Sequence, residues 1–329
     1  MKIPLIDISP LFLRNADPGP VVREITTACR EVGFFYIRGH SVDVQLQQRL
    51  EQLSWKFFNQ PLAKKLEISM DLGGKAWRGY FPLEGELTSG KPDVKEGLYF
   101  AEDLPEDHPM VSAGVPLHGS NLYPDIAGFD QVILKYMQCM TGIGAALMQG
   151  MALGLGLSGD YFRERLMANP IKLFRIFHYP VPTPPQKEAQ QWGVGEHTDY
   201  GMLTILKQDK VGGLQVLSRE KWIDAPYVEN SFICNIGDML DYLTGGYYRS
   251  TPHRVFNKSD SGRLSFPFFY DLDFNAVPLP ADLSHLEHNR TLKYQRWDGS
   301  DLQSFSGSYG EYLIEKISRV FPLLKDNLL

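Results

Sequence analysis

Gly195-Glu196-His197-Thr198-Asp199 is the stretch on which the reading of this chain turns; Pro252-His253-Arg254-Val255 and Arg263-Leu264-Ser265 answer it downstream. On an extended strand, residues i and i+2 point to one face, so an imidazole at 197 and a carboxylate at 199 can meet one ion. His253 follows Asp199 by 54 positions (253 − 199) and must arrive from a different strand. Two imidazoles and one carboxylate on one face of a divalent metal leave the other face open, a ligand set suited to non-haem iron(II). A zinc hydrolase could use the same residues with a water. An isolated H-x-D pair is more often an aspartate orienting its histidine, so the surrounding pattern has to carry the assignment.

Arg263 and Ser265 repeat the i, i+2 spacing on a predicted strand. A guanidinium binds a carboxylate through two parallel N–H···O bonds, and a neighbouring hydroxyl adds a third. Inside a barrel such an arginine is expensive unless an anion accompanies it. Tyr179, which ends the run Phe174–Tyr179 before Pro180, is a candidate phenol donor to the same anion.

The bulk numbers narrow the field. A chain of 329 residues with 43% hydrophobic content can bury a sizeable core. Its formal charge of −6 and its lack of basic runs argue against nucleic acid or an anionic membrane as partner. Cys29, Cys139 and Cys234 are far apart, as expected of reduced thiols in a cytoplasmic protein. The N-terminus shows no apolar segment of signal-peptide type. From Tyr136 to Gly159 no residue is charged, yet Met140, Ile143, Leu147 and Met151 recur at helical spacing. This predicts a long helix buried against a sheet rather than a membrane span.

The front third alternates a strand (Ile3 to Ile8), a helix (Val21 to Val32), an aromatic strand (Gly33 to Ile37) and a helix near Val42 to Phe58. Residues 71 to 120, rich in Gly, Pro and charge, suggest ordered loops and short strands overhanging a site. Beyond Ile171 come short β-favouring runs: Ile171–Tyr179, Met202–Gln208, Leu214–Leu217, Ser231–Asn235, Arg254–Phe256 and Arg263–Tyr270. Gly212-Gly213, Gly245-Gly246 and Lys258 to Gly262 punctuate them as turns. Such spacing fits a jelly roll or barrel. Ser308 to Val320 reads as a closing helix.

Taken together, the sequence resembles the 2-oxoglutarate- and iron(II)-dependent dioxygenases of the isopenicillin N synthase-like family. The likeness runs through Ile3-Pro4-Leu5-Ile6-Asp7, Gly33-Phe34-Phe35, Glu196 to Gly201, Gly212 to Val216 and Asn235-Ile236-Gly237-Asp238. It continues in Ser250 to Val255, Arg263-Leu264-Ser265 and Tyr309 to Leu313. The resemblance implies an α+β fold with a double-stranded β-helix (jelly-roll) core flanked by helices. It implies one oxygenase domain over 1–329: an αβ and loop region at 1–120, a supporting helix at 125–158, the core at 170–280 and a C-terminal helix at 305–322. It further implies iron(II) held by His197, Asp199 and His253, and 2-oxoglutarate held by Arg263, Ser265 and Tyr179. With dioxygen, decarboxylation of the 2-oxo acid would be coupled to oxidation of a small-molecule substrate, by hydroxylation in the usual case.

The substrate pocket is expected among Tyr80, Phe81, Tyr99, Arg175, Phe177, Leu214, Phe269 and Tyr270, with Arg175 a second cation that would favour an anionic substrate. Phe177 stands where plant members of the family usually carry Asn, making the pocket more apolar there. His40, His108, His118, His178, His285 and His288 are expected to be structural or exposed. Two other functions compete. One is an isopenicillin N synthase-like oxidase that holds its own substrate's carboxylate on Arg263 without 2-oxoglutarate. The other is a non-catalytic small-molecule binding protein, for which an open metal face has no use.

Overall fold

Strand alternation governs this fold, because it decides which half of each strand's residues meets the interior. The computed structural model describes residues 2–88, 90–184, 191–257, 259–286 and 306–322, so Lys258 and His288 lie outside the described residues. In chain order the strands are β1 (Leu5–Asp7), β2 (Phe34–Arg38), β3 (Gly79–Phe81), β4 (Glu96–Ala101), β5 (Pro170–Tyr179) and β6 (Val194–His197). They continue with β7 (Leu203–Gln208), β8 (Leu214–Ser218), β9 (Lys221–Asp224), β10 (Phe232–Ile236), β11 (His253–Val255) and β12 (Arg263–Asp273). Eight form a major sheet in the order β1-β2-β10-β7-β12-β5-β4-β3, and four form a minor sheet, β6-β11-β8-β9. Among the described residues, only the β1–β2 ladder is parallel.

β12 pairs with β5 and β7 at the middle of the major sheet, with Arg263 opposite Tyr179 and Ser265 opposite both Phe177 and Gln208. Odd-numbered residues of β4, β5 and β12 therefore share one face, turned toward the minor sheet. Even-numbered residues face the helices. Tyr270 is an example: a Cβ at Gly144 would stand 2.8 Å from its ring. Gly144 belongs to the helix Phe129–Gly154, whose Met140, Ile143, Leu147 and Met151 are all buried, as helical spacing predicts. That helix also packs on the helices Gly19–Glu31 and Val44–Phe58. Among the described residues, no helix is long and apolar enough to cross a membrane.

Local chemistry explains the element ends. Asp43 caps the second helix by accepting from Gln45 N at 2.8 Å. The helix Tyr309–Val320 opens with a capping box: Ser308 Oγ accepts from Glu311 N, and Glu311 Oε2 accepts from Ser308 N at 2.8 Å. Gly212 and Gly213, with φ of 77° and 100°, supply the backbone that turns the chain into β8.

The structure departs from the sequence expectation in several places, of which three bear on the site and the sheets around it. β6 ends at His197, so Asp199 lies beyond the strand, not on it. The chain leaves the ladder there because the Asp199 carbonyl is taken by Asp238 N at 2.8 Å. Residues 71 to 120 contribute β3 and β4 to the major sheet itself, beyond overhanging loops. A short helix at Asp238–Leu243 was not expected from the sequence. Because Gly144 leaves no room beside Tyr270, Gly144→Val should lower stability by about 2 kcal/mol through overpacking. Urea unfolding checks this; an unchanged midpoint would contradict the packing described.

Candidate active site

His197 and His253 are Cα partners across the β6–β11 ladder, so their side chains rise side by side from the minor sheet. The ring centroids are 4.2 Å apart. Both Nε2 atoms lie 3.7 Å from Asp199 Oδ1, and one ligand atom from each residue falls within 4.8 Å of the others. Among the described residues this is the only such group of three or more.

The rest of each side chain is already committed. His197 Nδ1 is 2.8 Å from Gly195 O, and His253 Nδ1 is 3.2 Å from Thr251 O. Each Nδ1–H can donate to that carbonyl, which leaves the Nε2 lone pair free for a metal. Asp199 Oδ2 accepts from Thr204 Oγ1 and from Asn235 Nδ2 at 2.7 Å, leaving Oδ1 toward the histidines. Burial, aided by His253, pushes the His197 imidazole down to about 3. Burial alone would raise the Asp199 carboxyl, but the two histidines, Asn235 and Thr204 bring it below its ordinary value. A neutral imidazole at His197 beside an ionised Asp199 is the protonation pattern a divalent cation requires.

Across the cleft, Arg263 is fully buried, yet Nε, Nη1 and Nη2 have no hydrogen-bond partner. The nearest acid, Asp209, is 4.0 Å away, too far for a hydrogen bond, and accepts instead from the backbone N–H groups of Val211 and Leu264. Tyr179 lies under the guanidinium at 4.6 Å, and its OH is 3.3 Å from Ser265 Oγ. A buried charged fork with no acceptor is strongly unfavourable unless an anion completes it. The chemistry of both halves therefore fits a divalent metal with a carboxylate-bearing ligand beside it.

Of the expected pocket residues, Arg175, Phe177, Leu214 and Phe269 line the cleft. Tyr99 lies one layer behind, under Arg175 at 4.2 Å, and Phe81 packs on Phe177 and Tyr99. Two expectations are corrected. Tyr80 and Tyr270 point away from the cleft, because even positions on β3 and β12 face outward. Tyr80 instead donates to Glu96, which also holds Lys65 and His178. His40, His118 and His285 each contact a backbone carbonyl. The cleft also has polar walls that the sequence did not single out: Glu86, Lys95, Tyr200 and Asp271. Nothing in their spacing marks them.

Residues 3–126 match a family described as the N-terminal region of non-haem dioxygenases in morphine synthesis, and residues 170–272 match the 2OG-Fe(II) oxygenase superfamily. The chain belongs to the 2OG-Fe(II) oxygenase superfamily. This oxygenase is 49% identical to a Dictyostelium discoideum protein named as an iron/ascorbate oxidoreductase, over 94% of its own length and 91% of the relative's. It is 35% identical to a homoarginine-6-hydroxylase of Oryza sativa subsp. japonica, over 98% of both chains. A full-length Neurospora crassa enzyme, crystallised with α-ketoglutarate and thymine, superposes with a TM-score of 0.77 at 26% identity, covering 96% of each chain. The oxygenase is accordingly an oxidoreductase of jelly-roll architecture that uses iron(II), 2-oxoglutarate and dioxygen to oxidise a small molecule.

Asp271, near the C-terminal end of β12, is buried. Burial pushes its carboxyl up to about 7, against the pull of Met202 N and Tyr309 OH, each donating at 2.9 Å. A carboxyl raised on folding favours the folded state while protonated, and that contribution fades as pH climbs through about 7. In chelated enzyme, the stability of Asp271→Asn relative to wild type should therefore improve from pH 5 to 8, by on the order of 2 kcal/mol. Melting curves across that range test it; a constant difference would refute it.

Proposed function

We propose that His197, Asp199 and His253 hold iron(II), that Arg263, Ser265 and Tyr179 hold a carboxylate of 2-oxoglutarate, and that the oxygenase hydroxylates a small molecule seated against Arg175, Leu214 and Phe269. The observation that carries this reading is the bare guanidinium of Arg263, buried across the cleft from three converging metal-ligand atoms. With iron(II) and 2-oxoglutarate held there, the site would supply oxidative chemistry in which dioxygen gives one oxygen atom to the 2-oxo acid, which becomes succinate as it loses carbon dioxide, and the other to the substrate. The chain's own part is positional. Arg263 fixes the cosubstrate's direction, and the Gly195 and Thr251 carbonyls hold both imidazoles in one tautomer. Leu206, Leu214, Val255 and Pro267 keep water from the reacting centre. Hydroxylation is supported by the rice relative's activity, and a small substrate by the thymine complex of the Neurospora enzyme.

The participation of β1 to β4 in the major sheet supports one oxygenase unit built from the whole chain. Three free cysteines, two of them buried, suit a reducing compartment such as the cytoplasm.

His197→Ala and Asp199→Ala should each lose iron on gel filtration while keeping the wild-type circular dichroism spectrum. Anaerobic titration of the iron(II) enzyme with 2-oxoglutarate should develop the weak visible absorption of an iron–2-oxo-acid pair. Arg263→Ala should move its midpoint about 10- to 100-fold higher. No absorption at any 2-oxoglutarate concentration would favour the oxidase that places its own substrate on Arg263, and an unmoved midpoint would remove Arg263 from the anchor.

A further inference from the structure

The inner face of the major sheet carries two arginines in opposite circumstances. Arg263 faces Tyr179, and Arg175 lies four residues earlier on β5, about 13 Å along the strand. The Arg175 guanidinium is held between the rings of Tyr99 at 4.2 Å and Phe269 at 4.8 Å. Its Nε is buried without an acceptor, and its Nη1 stops 3.8 Å from Glu86 Oε1, short of a hydrogen bond. The rings fix the direction of the fork, Nε has no acceptor, and Nη1 meets Glu86 only at ion-pair distance.

Glu86 stands beside it on the cleft wall, buried, with Oε1 accepting from Tyr99 OH at 2.9 Å and Oε2 lying 2.9 Å from Lys95 Nζ. Lys95 is shared with Asp93 at 2.7 Å and sits over Phe177. Two acids, Glu86 and Asp93, thus balance two cations, Lys95 and Arg175, in one buried cluster. What enters beside a balanced pair is constrained by charge. A simple carboxylate would satisfy Arg175 but crowd Glu86 with a second anion, and a simple cation would do the reverse. An uncharged ring would leave Arg175 Nε buried without an acceptor and Glu86 with only Tyr99 and Lys95 beside it. A group carrying both charges a bond or two apart answers each.

We propose that Arg175 and Glu86 receive the carboxylate and the ammonium of a free amino acid, and so set the substrate class of this oxygenase. The inference rests on the reading of the iron and 2-oxoglutarate sites given above. It agrees with the rice relative's action on homoarginine and sets this cleft apart from a thymine site.

The test uses enzyme loaded anaerobically with iron(II) and 2-oxoglutarate. It is titrated in a calorimeter with the twenty common L-amino acids, L-homoarginine, their decarboxylated amines, their deaminated acids and thymine. At least one amino acid should bind, with its amine at least 10-fold weaker. Arg175→Met should weaken that amino acid about 10- to 100-fold, and Arg175→Lys should restore part of the loss. In both variants the 2-oxoglutarate midpoint of the visible absorption should stay at the wild-type value, which separates lost recognition from lost folding. Glu86→Gln should narrow the gap between the amino acid and its deaminated acid. The proposal is overturned if no amino acid binds, if amine and amino acid bind alike, if thymine binds best, or if Arg175→Met leaves the affinity unchanged. These failures would leave the absorption, and with it the iron and 2-oxoglutarate reading, intact. Loss of the absorption in wild type would instead bring down that reading and this proposal together.

Discussion

The pairing of His253 with His197 across one antiparallel ladder is the constraint from which the site follows. Directly opposed residues on such a pair hold their Cβ atoms about 5 Å apart, so two imidazoles can aim at one point without either backbone bending. Asp199 needs separate support because it lies past the strand's end. It gets this from three directions: Thr204, Asn235 and the Asp238 N–H on its own carbonyl. Asp238 in turn holds Thr198 and Ser250. Removing the minor sheet's register would separate the histidines, and loosening the Asp238 network would release the carboxylate.

Buried charge organises the opposite wall. Proteins bury an arginine at considerable cost, and the usual compensation is an acid within hydrogen-bond reach. Arg263 has none, because Asp209 is spent on backbone N–H groups. Arg175 has one at a distance, with Lys95 competing for the same carboxylate. The two arginines lie on one sheet face and line the same cleft as His197, Asp199 and His253; under the proposed assignment they would offer cosubstrate and substrate separate cationic ends of it.

Legibility in the sequence followed periodicity and local chemistry. The buried helix was readable from Met140, Ile143, Leu147 and Met151, and the closing helix from Ser308 with Glu311, because both signals are contained within a few turns. Strands β5, β7, β8, β10 and β12 were readable for the same reason. β3 and β4 were not, since residues 71–120 mix glycine, proline and charge, and their strand geometry comes from pairing with β5. Tyr80 and Tyr270 were misplaced because a strand's alternation says which residues share a face but not which face is the inner one. Glu86 and Lys95 carry no motif at all; their importance lies in being buried together.

The amino-acid sequence by itself determined which candidate ligand residues are present and their order along the chain: His197 and Asp199 together, His253 later, Arg263 and Ser265 last. It also determined the helical and strand periods that make a closed β core the natural solution. Only the tertiary structure decided that Arg263 would have no acid within hydrogen-bond reach, that Arg175 would be clamped between two rings beside Glu86, and that odd residues of β12 would look inward. Those outcomes depend on which surfaces meet when two sheets close, and burial turns an ordinary ion pair or an idle guanidinium into a demand for a particular partner.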